Sequence, residues 1–187
     1  MTSVGSINEP ELIRKMQAGD RKAMRAAYDV YSGYLAAVCS RYVVTAEDAR
    51  DILQDAFVKI FSSISSFRPM ENASLKSWMT RIVVNESLKF LKRQKACKFM
   101  ESTDTIPDVA DDDMPDTRSV PFSVIYEMVR RLPPGCRTVF NLYVFEQKTH
   151  KEIARALEIS EGTSASQYHR ARALLASNIK EYLNKTT

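Results

Sequence analysis

The chain has 187 residues, a 44% apolar fraction, only 5 glycines and a formal net charge of +4, which allows one medium domain or two small ones with a real core. Its three cysteines (Cys39, Cys97, Cys136) are odd in number, far apart and outside any Cys-x-x-Cys or Cys/His cluster, so neither a disulfide framework nor a zinc site is encoded. Met1 is followed by a polar segment and no run approaches membrane-spanning length, so a soluble, cytoplasmic protein without membrane insertion is expected.

The charge is unevenly spread. From Glu101 to Asp116 there are seven acids (Glu101, Asp104, Asp108, Asp111, Asp112, Asp113, Asp116) and no Lys or Arg. Removing them leaves the rest of the chain at about +11, a footing for a polyanionic partner. The same stretch divides the chain. Residues 9–98 are helical in pattern. Residues 99–121 are acidic, contain Pro107, Pro115 and Pro121, lack periodicity and read as a flexible linker. Helical pattern returns over 122–184. The expected fold class is all-α: two small helical domains joined by an acidic linker.

In the first block, Thr45 is placed to cap a helix from Ala46 to about Ile64. Ala49, Ile52, Leu53, Ala56, Phe57, Ile60, Phe61 and Ile64 form its apolar stripe. The opposite face carries Asp48, Asp51, Gln54, Asp55 and Lys59. An acidic face does not touch phosphates; it is either solvated surface or a docking face for a basic protein. A loop from Ser65 to about Ser74 follows. The next helix sets Leu75, Trp78, Met79, Ile82 and Val83 inward and ends in Lys89, Lys92, Arg93, Lys95 and Lys98. The helix dipole favours some cations there. Five exceed that need and point to phosphate contact. Trp78 reads as a core anchor, with base stacking as the alternative.

In the second block, Val124, Ile125, Met128, Val129 and Leu132 form an amphipathic helix stopped by Pro133-Pro134-Gly135, and Cys136–Glu146 forms another. Thr149 and Glu152 make a capping box. Ile153, Ala154 and Leu157 give one apolar face, Ile159 plugs a corner, and Ser160 can cap the last helix. That helix carries Tyr168-His169-Arg170-Ala171-Arg172 and continues through Leu174, Leu175, Ile179 and Tyr182. A helix-turn-helix with a polar, basic second helix is the arrangement that presents side chains to a DNA major groove.

Taken together, Asp51-x-x-Gln54-Asp55-x-Phe57, Trp78-x-x-Arg81-Ile82-x-x-Asn85, Leu132-Pro133, Phe145-Glu146, Glu152-Ile153-Ala154 and Glu161-Gly162-Thr163 with His169-Arg170-Ala171-Arg172 resemble an extracytoplasmic-function (ECF) sigma factor of the sigma-70 family. The resemblance runs from about Ala18 to Tyr182. It implies a promoter-specificity subunit without catalysis or cofactor. Its first domain (9–98, region 2) would bind core RNA polymerase and open the −10 element; its second (122–184, region 4) would read the −35 element. Asp51, Gln54 and Asp55 would dock on the clamp of the largest polymerase subunit, giving the acidic face a partner of opposite charge. The Phe67–Ser74 loop and the start of the Trp78 helix would capture an unpaired base, with Asn72, Ser74 and Lys76 as candidates. Lys89, Lys92 and Arg93 would hold duplex phosphates. Ala165, Ser166, His169 and Arg170 match the family's major-groove readers, with backbone at Gly162 and Thr163 and the Lys151 side chain near phosphates. The linker would thread the RNA-exit path, and an anti-sigma factor is implied as a further partner.

This sequence departs from the family pattern at three places. The helix-turn-helix corner holds Glu158 where the family commonly has Gly or Asn, at a cost of about 1 kcal/mol for a left-handed backbone. Ser164-Ala165-Ser166-Gln167 stands where Val-Lys-Ser-Arg is frequent, with two cations lost. The Phe67–Trp78 segment is longer than the commonest pattern. The other reading is a helix-turn-helix regulator with an unrelated N-terminal domain. An enzyme is not expected: Asp111, Asp112 and Asp113 are adjacent on a Pro-flanked acidic linker and cannot converge as a rigid metal cage, and His150 and His169 read as helix-surface residues.

Overall fold

A computed structural model of the chain describes residues 8–69, 74–94 and 115–186. These form eight α-helices and one short 3-10 turn, with no strand among the described residues. The chain divides into two compact units, residues 1–90 and 91–187.

The first unit opens with α1 (Glu9–Gln17), capped by the Asn8 side chain and started by Pro10, whose missing N–H costs nothing in the first turn. Gly19, at φ +80, ends it, and Asp20 N–H returns to Lys15 O while Gly19 N–H returns to Met16 O. Together they close a Schellman turn that needs a left-handed residue. Asp20 then caps α2 (Arg21–Cys39), accepting from Lys22 and Ala23 N–H. Next come α3 (Ala46–Ser63), a 3-10 turn (Ile64–Ser66) and α4 (Leu75–Arg93). Leu12, Met16, Leu35, Ile60, Leu75 and Met79 are among the buried residues of this unit, all at most 6% exposed. Thr45 occupies the N-cap position of α3, but its hydroxyl bonds the Asp48 carboxylate and caps no backbone N–H.

The second unit contains α5 (Phe122–Arg130), α6 (Pro134–Val144), α7 (His150–Leu157) and α8 (Glu161–Thr186). Its core joins Val129 and Leu132 to Cys136, Ala171 and Leu175, with Phe140 packed against them. Pro133-Pro134-Gly135 ends one helix, as expected, and also begins the next. Pro134 sits in the first turn of α6, where a fixed φ is pre-organised and no amide is missed. Cys39 and Cys136 are buried free thiols. Burial raises both above the ordinary thiol value, against weaker lowering by the Ser87 hydrogen bond at Cys39 and by the Arg170 charge at Cys136. The expectations for Cys97 and for most of the acidic linker fall on residues outside those described.

Candidate nucleic-acid interface

Helix α3 has two chemically distinct faces. Ile52, Ala56, Phe57 and Ile60 are buried, while Asp51, Gln54 and Asp55 are exposed at i, i+3 and i+4. Helical spacing extends the outer row to Val58, 64% exposed. None of Asp51, Gln54 and Asp55 has a hydrogen-bond or ion-pair partner among the described residues, so this face is open for docking. Val58 is absent from the apolar stripe of the sequence because it lies off that stripe. An apolar residue off-register was the signal that the face is not purely polar. Lys59, grouped with the acids by sequence, is instead occupied. Its Nζ lies 2.8 Å from Glu86 Oε1 on α4, and Lys89 Nζ lies 3.0 Å from the same oxygen. Burial pushes the Glu86 carboxyl up, but the two lysine hydrogen bonds outweigh it and hold the group below its ordinary value.

The start of α4 is fastened from several sides. Ser74 Oγ accepts from Ser77 N–H at 3.1 Å, so this candidate contact already serves as a helix cap. Leu75 N–H donates to Glu9 Oε1 at 3.1 Å, and Tyr31 OH donates to Glu9 Oε2 at 3.2 Å. Phe67 and Trp78 have ring centroids 5.0 Å apart. Trp78 is half-buried and braces the loop's first residue. Lys76 Nζ sits 3.9 Å from the centroid of the Tyr34 ring, which is 37% exposed. This cation–π pair orients the lysine. Lys89, Lys92 and Arg93 are all exposed. Asn72 lies outside the described residues.

The helix-turn-helix is assembled by local bonds. Thr149 N–H donates to Glu152 Oε2 at 2.8 Å, and Glu152 N–H donates to Thr149 Oγ1 at 3.3 Å, completing the capping box. The backbone and hydroxyl bonds from Thr149 hold the Glu152 carboxyl below its usual range. Glu158 ends α7 in the left-handed region at φ 60 and ψ 44. Ser160 Oγ accepts from Thr163 N–H at 2.9 Å and starts α8.

On α8, Gly162, Ser166 and His169 are exposed at i, i+4 and i+7, one outward row. Thr163, Ala165 and Arg170 are half-buried at its flanks, and Lys151 is exposed on α7. Ser164 is fully buried, with its Oγ 2.9 Å from His150 Nδ1. Gln167 Oε1 accepts from Cys136 Sγ at 3.0 Å. The two positions that lack cations, Ala165 and Gln167, are half-buried, and Gln167 joins Ser164 in fastening α8 to its neighbours. His150 is a latch rather than a plain surface residue. Its ring stacks on Tyr143 at 4.8 Å, and Tyr143 lies 4.3 Å from Tyr168. Sequence spacing gave no signal for this cluster, because its members come from three helices.

Family models for sigma-70 region 2 and sigma-70 region 4 match residues 27–97 and 123–175. The ECF RNA polymerase sigma factor SigM of Mycobacterium tuberculosis is 34% identical over 178 residues, covering 95% of this chain and 87% of that protein. This chain belongs to the ECF family of sigma-70 factors. The ECF RNA polymerase sigma-E factor of Haemophilus influenzae is 25% identical over 185 residues, covering 93% and 96% of the two chains. The solved structure of CnrH in complex with the cytosolic domain of CnrY has the same fold, with a TM-score of 0.50 at 19% identity over 92% of this chain and 97% of that one.

Membership makes this ECF factor a non-enzymatic transcription-initiation factor of a family that binds core RNA polymerase and promoter DNA. The region 2 match also sets aside the regulator with an unrelated N-terminal domain. Among the described residues no three His, Cys, Asp or Glu are grouped to hold a metal ion, and no helix is long and apolar enough to cross a membrane.

Proposed function

We propose that this sigma factor grips a promoter at two places with divided labour. Residues 9–98 dock on the polymerase clamp through Asp51, Gln54 and Asp55 and open the −10 element. Residues 122–184 position the complex on the −35 element. The observation that carries the first half is the outward row on α3: two carboxylates and an amide, exposed and without an internal partner. A face of that charge suits a basic protein surface and repels nucleic acid. Val58 adds an apolar centre to the same row, the kind of contact a docking surface desolvates.

At the −10 element, Asn72, Ser74 and Lys76 flank a splayed base, while Lys89, Lys92 and Arg93 hold phosphates of the adjoining duplex. At the −35 element, the outward row Gly162, Ser166 and His169 enters the major groove, with Arg170, Ala165 and Thr163 beside it and Lys151 on the backbone. Backbone approach at Gly162 is open among the described residues, where Ser160 Oγ lies an ordinary 3.7 Å from the place a Cβ would occupy. The linker, residues 99–121, takes the RNA-exit path, where its acids mimic the charge of RNA. The protein works in the cytoplasm beside the polymerase, and an anti-sigma factor covering these faces would hold it inactive.

Reconstitution tests this reading. Purified chain added to core polymerase should give a stable complex and transcripts that start at discrete promoters. No complex, or transcripts independent of promoter sequence, would sink it.

A further inference from the structure

The −10 reading assigns a task to Ser74 and Lys76 at the start of α4, and the backbone at Phe67 and at Leu75 is held by one helix outside the region 2 match. Helix α1 covers Glu9–Gln17, ahead of residues 27–97. From its last residue, Gln17 Nε2 donates to Phe67 O at 2.9 Å and to Ile64 O at 3.2 Å. From its first, Glu9 Oε1 accepts from Leu75 N–H at 3.1 Å. Leu75 N–H is one of the amides that a helix start leaves unpaired, and a carboxylate there is further favoured by the dipole of α4. Leu75 itself is fully buried, so its amide has little access to water if the carboxylate leaves.

Two more contacts lock the same frame. Arg68 Nη1 donates to Ser65 O at 2.6 Å and to Phe67 O at 3.0 Å. Tyr31 OH, on α2, donates to the second oxygen of Glu9 and so fixes the direction of its carboxylate. The Leu12, Ile13 and Met16 side chains are buried, which makes α1 a rigid bar. Phe67 is tied near the bar's C-terminus and Leu75 near its N-terminus.

We propose that Glu9 and Gln17 are positioning residues for −10 recognition: α1 fixes the backbone at Phe67 and at Leu75, and with it the start of α4 that carries Ser74 and Lys76. The inference rests on the −10 role proposed above. The tie acts on discrimination between bases, because contact groups whose frame drifts lose their preference before they lose backbone affinity. It does not act on core docking, which uses the outward row of α3.

The test uses the full chain assembled with core polymerase. The probe is a fluorescein-labelled single-stranded non-template oligonucleotide carrying the −10 element of a promoter located by 5′-end sequencing of wild-type transcripts. Its partner is the same oligonucleotide with that element scrambled. Glu9→Ala and Gln17→Met should each cut the preference for the matched strand about three- to tenfold, as expected for a lost hydrogen bond with a stranded partner. Glu9→Gln should restore it to within about twofold, since an amide oxygen still accepts from Leu75. Affinity for core polymerase should stay at the wild-type value, as should the preference in an Arg14→Ala control on the exposed side of α1. Full preference in both Glu9→Ala and Gln17→Met, with or without a fall in Tm, overturns the inference and leaves α1 a structural helix only. A wild-type holoenzyme with no preference between the two strands overturns the −10 reading itself.

Discussion

The two units place their candidate contacts by opposite means. In the second unit, the outward row of α8 is aimed by signals packed into a short run: the Thr149–Glu152 capping box, left-handed Glu158, and Ser160 capping Thr163 N–H. In the first unit, the start of α4 is aimed by side chains far away in sequence, with Glu9 reaching Leu75 across 66 residues and Gln17 reaching Phe67 across 50. Local aiming tolerates change elsewhere in the chain and fails sharply when a cap is removed. Remote aiming depends on the whole unit being folded. The difference suits the proposed tasks: a fixed helix presented to duplex DNA, and a set of contacts held in place by the fold that opens the strands.

Substitutions in each unit separate the two modes of aiming. Among single substitutions, the largest effect is expected at the DNA itself. Arg170→Ala should weaken binding to a duplex carrying the matched −35 element about five- to hundredfold, and binding to an unrelated duplex much less. Equal losses on both duplexes, measured by fluorescence anisotropy, would reduce Arg170 to a phosphate contact. A smaller effect belongs to the local signals. Thr149→Ala should cost the second unit about 1 kcal/mol, seen as a lower Tm, and leave core binding through α3 untouched. A drop in core affinity would mean that the two units do not act separately.

The smallest effect is a pH dependence in the first unit. Glu86 joins α4 to Lys59 of α3 and to Lys89, and its carboxyl is held below the ordinary value. A depressed carboxylate contributes stability above its unfolded pKa, about 4.3 for glutamate, and loses that contribution as pH falls through the folded value. Glu86→Gln should therefore lower the Tm slightly at pH 7, by the equivalent of less than about 1 kcal/mol for a carboxylate whose two lysine partners are exposed. The gap from wild type should close in acid. A gap that persists at pH 3 would point to packing rather than charge.

The same contrast explains what could be read before folding. The helix-turn-helix was legible down to single residues, because caps, a left-handed corner and an apolar face are encoded within one or two turns. The helical period gave α3 and its outward acids for the same reason. Pro134 was harder to read: Pro-Pro-Gly marks a stop, and only the structure shows that its second proline is also a start. Thr45 stands where a cap is expected, yet a neighbouring carboxylate takes its hydroxyl. Glu9, Gln17 and the His150–Ser164 latch left no trace in spacing, since a hydrogen bond between distant elements has no period. Gly19-Asp20 did carry a local signal, a left-handed glycine followed by a capping acid, and could have fixed the α1–α2 corner from sequence.

Docking of the polymerase by the outward row of α3 is probed most sharply by charge reversal. Asp51, Gln54 and Asp55 are exposed, so replacing all three by Lys should leave the circular dichroism spectrum unchanged. Affinity for core polymerase, measured by pull-down and titration, should fall by at least about a hundredfold, as like charges meet across the interface. Unchanged affinity in a folded triple variant would contradict the account.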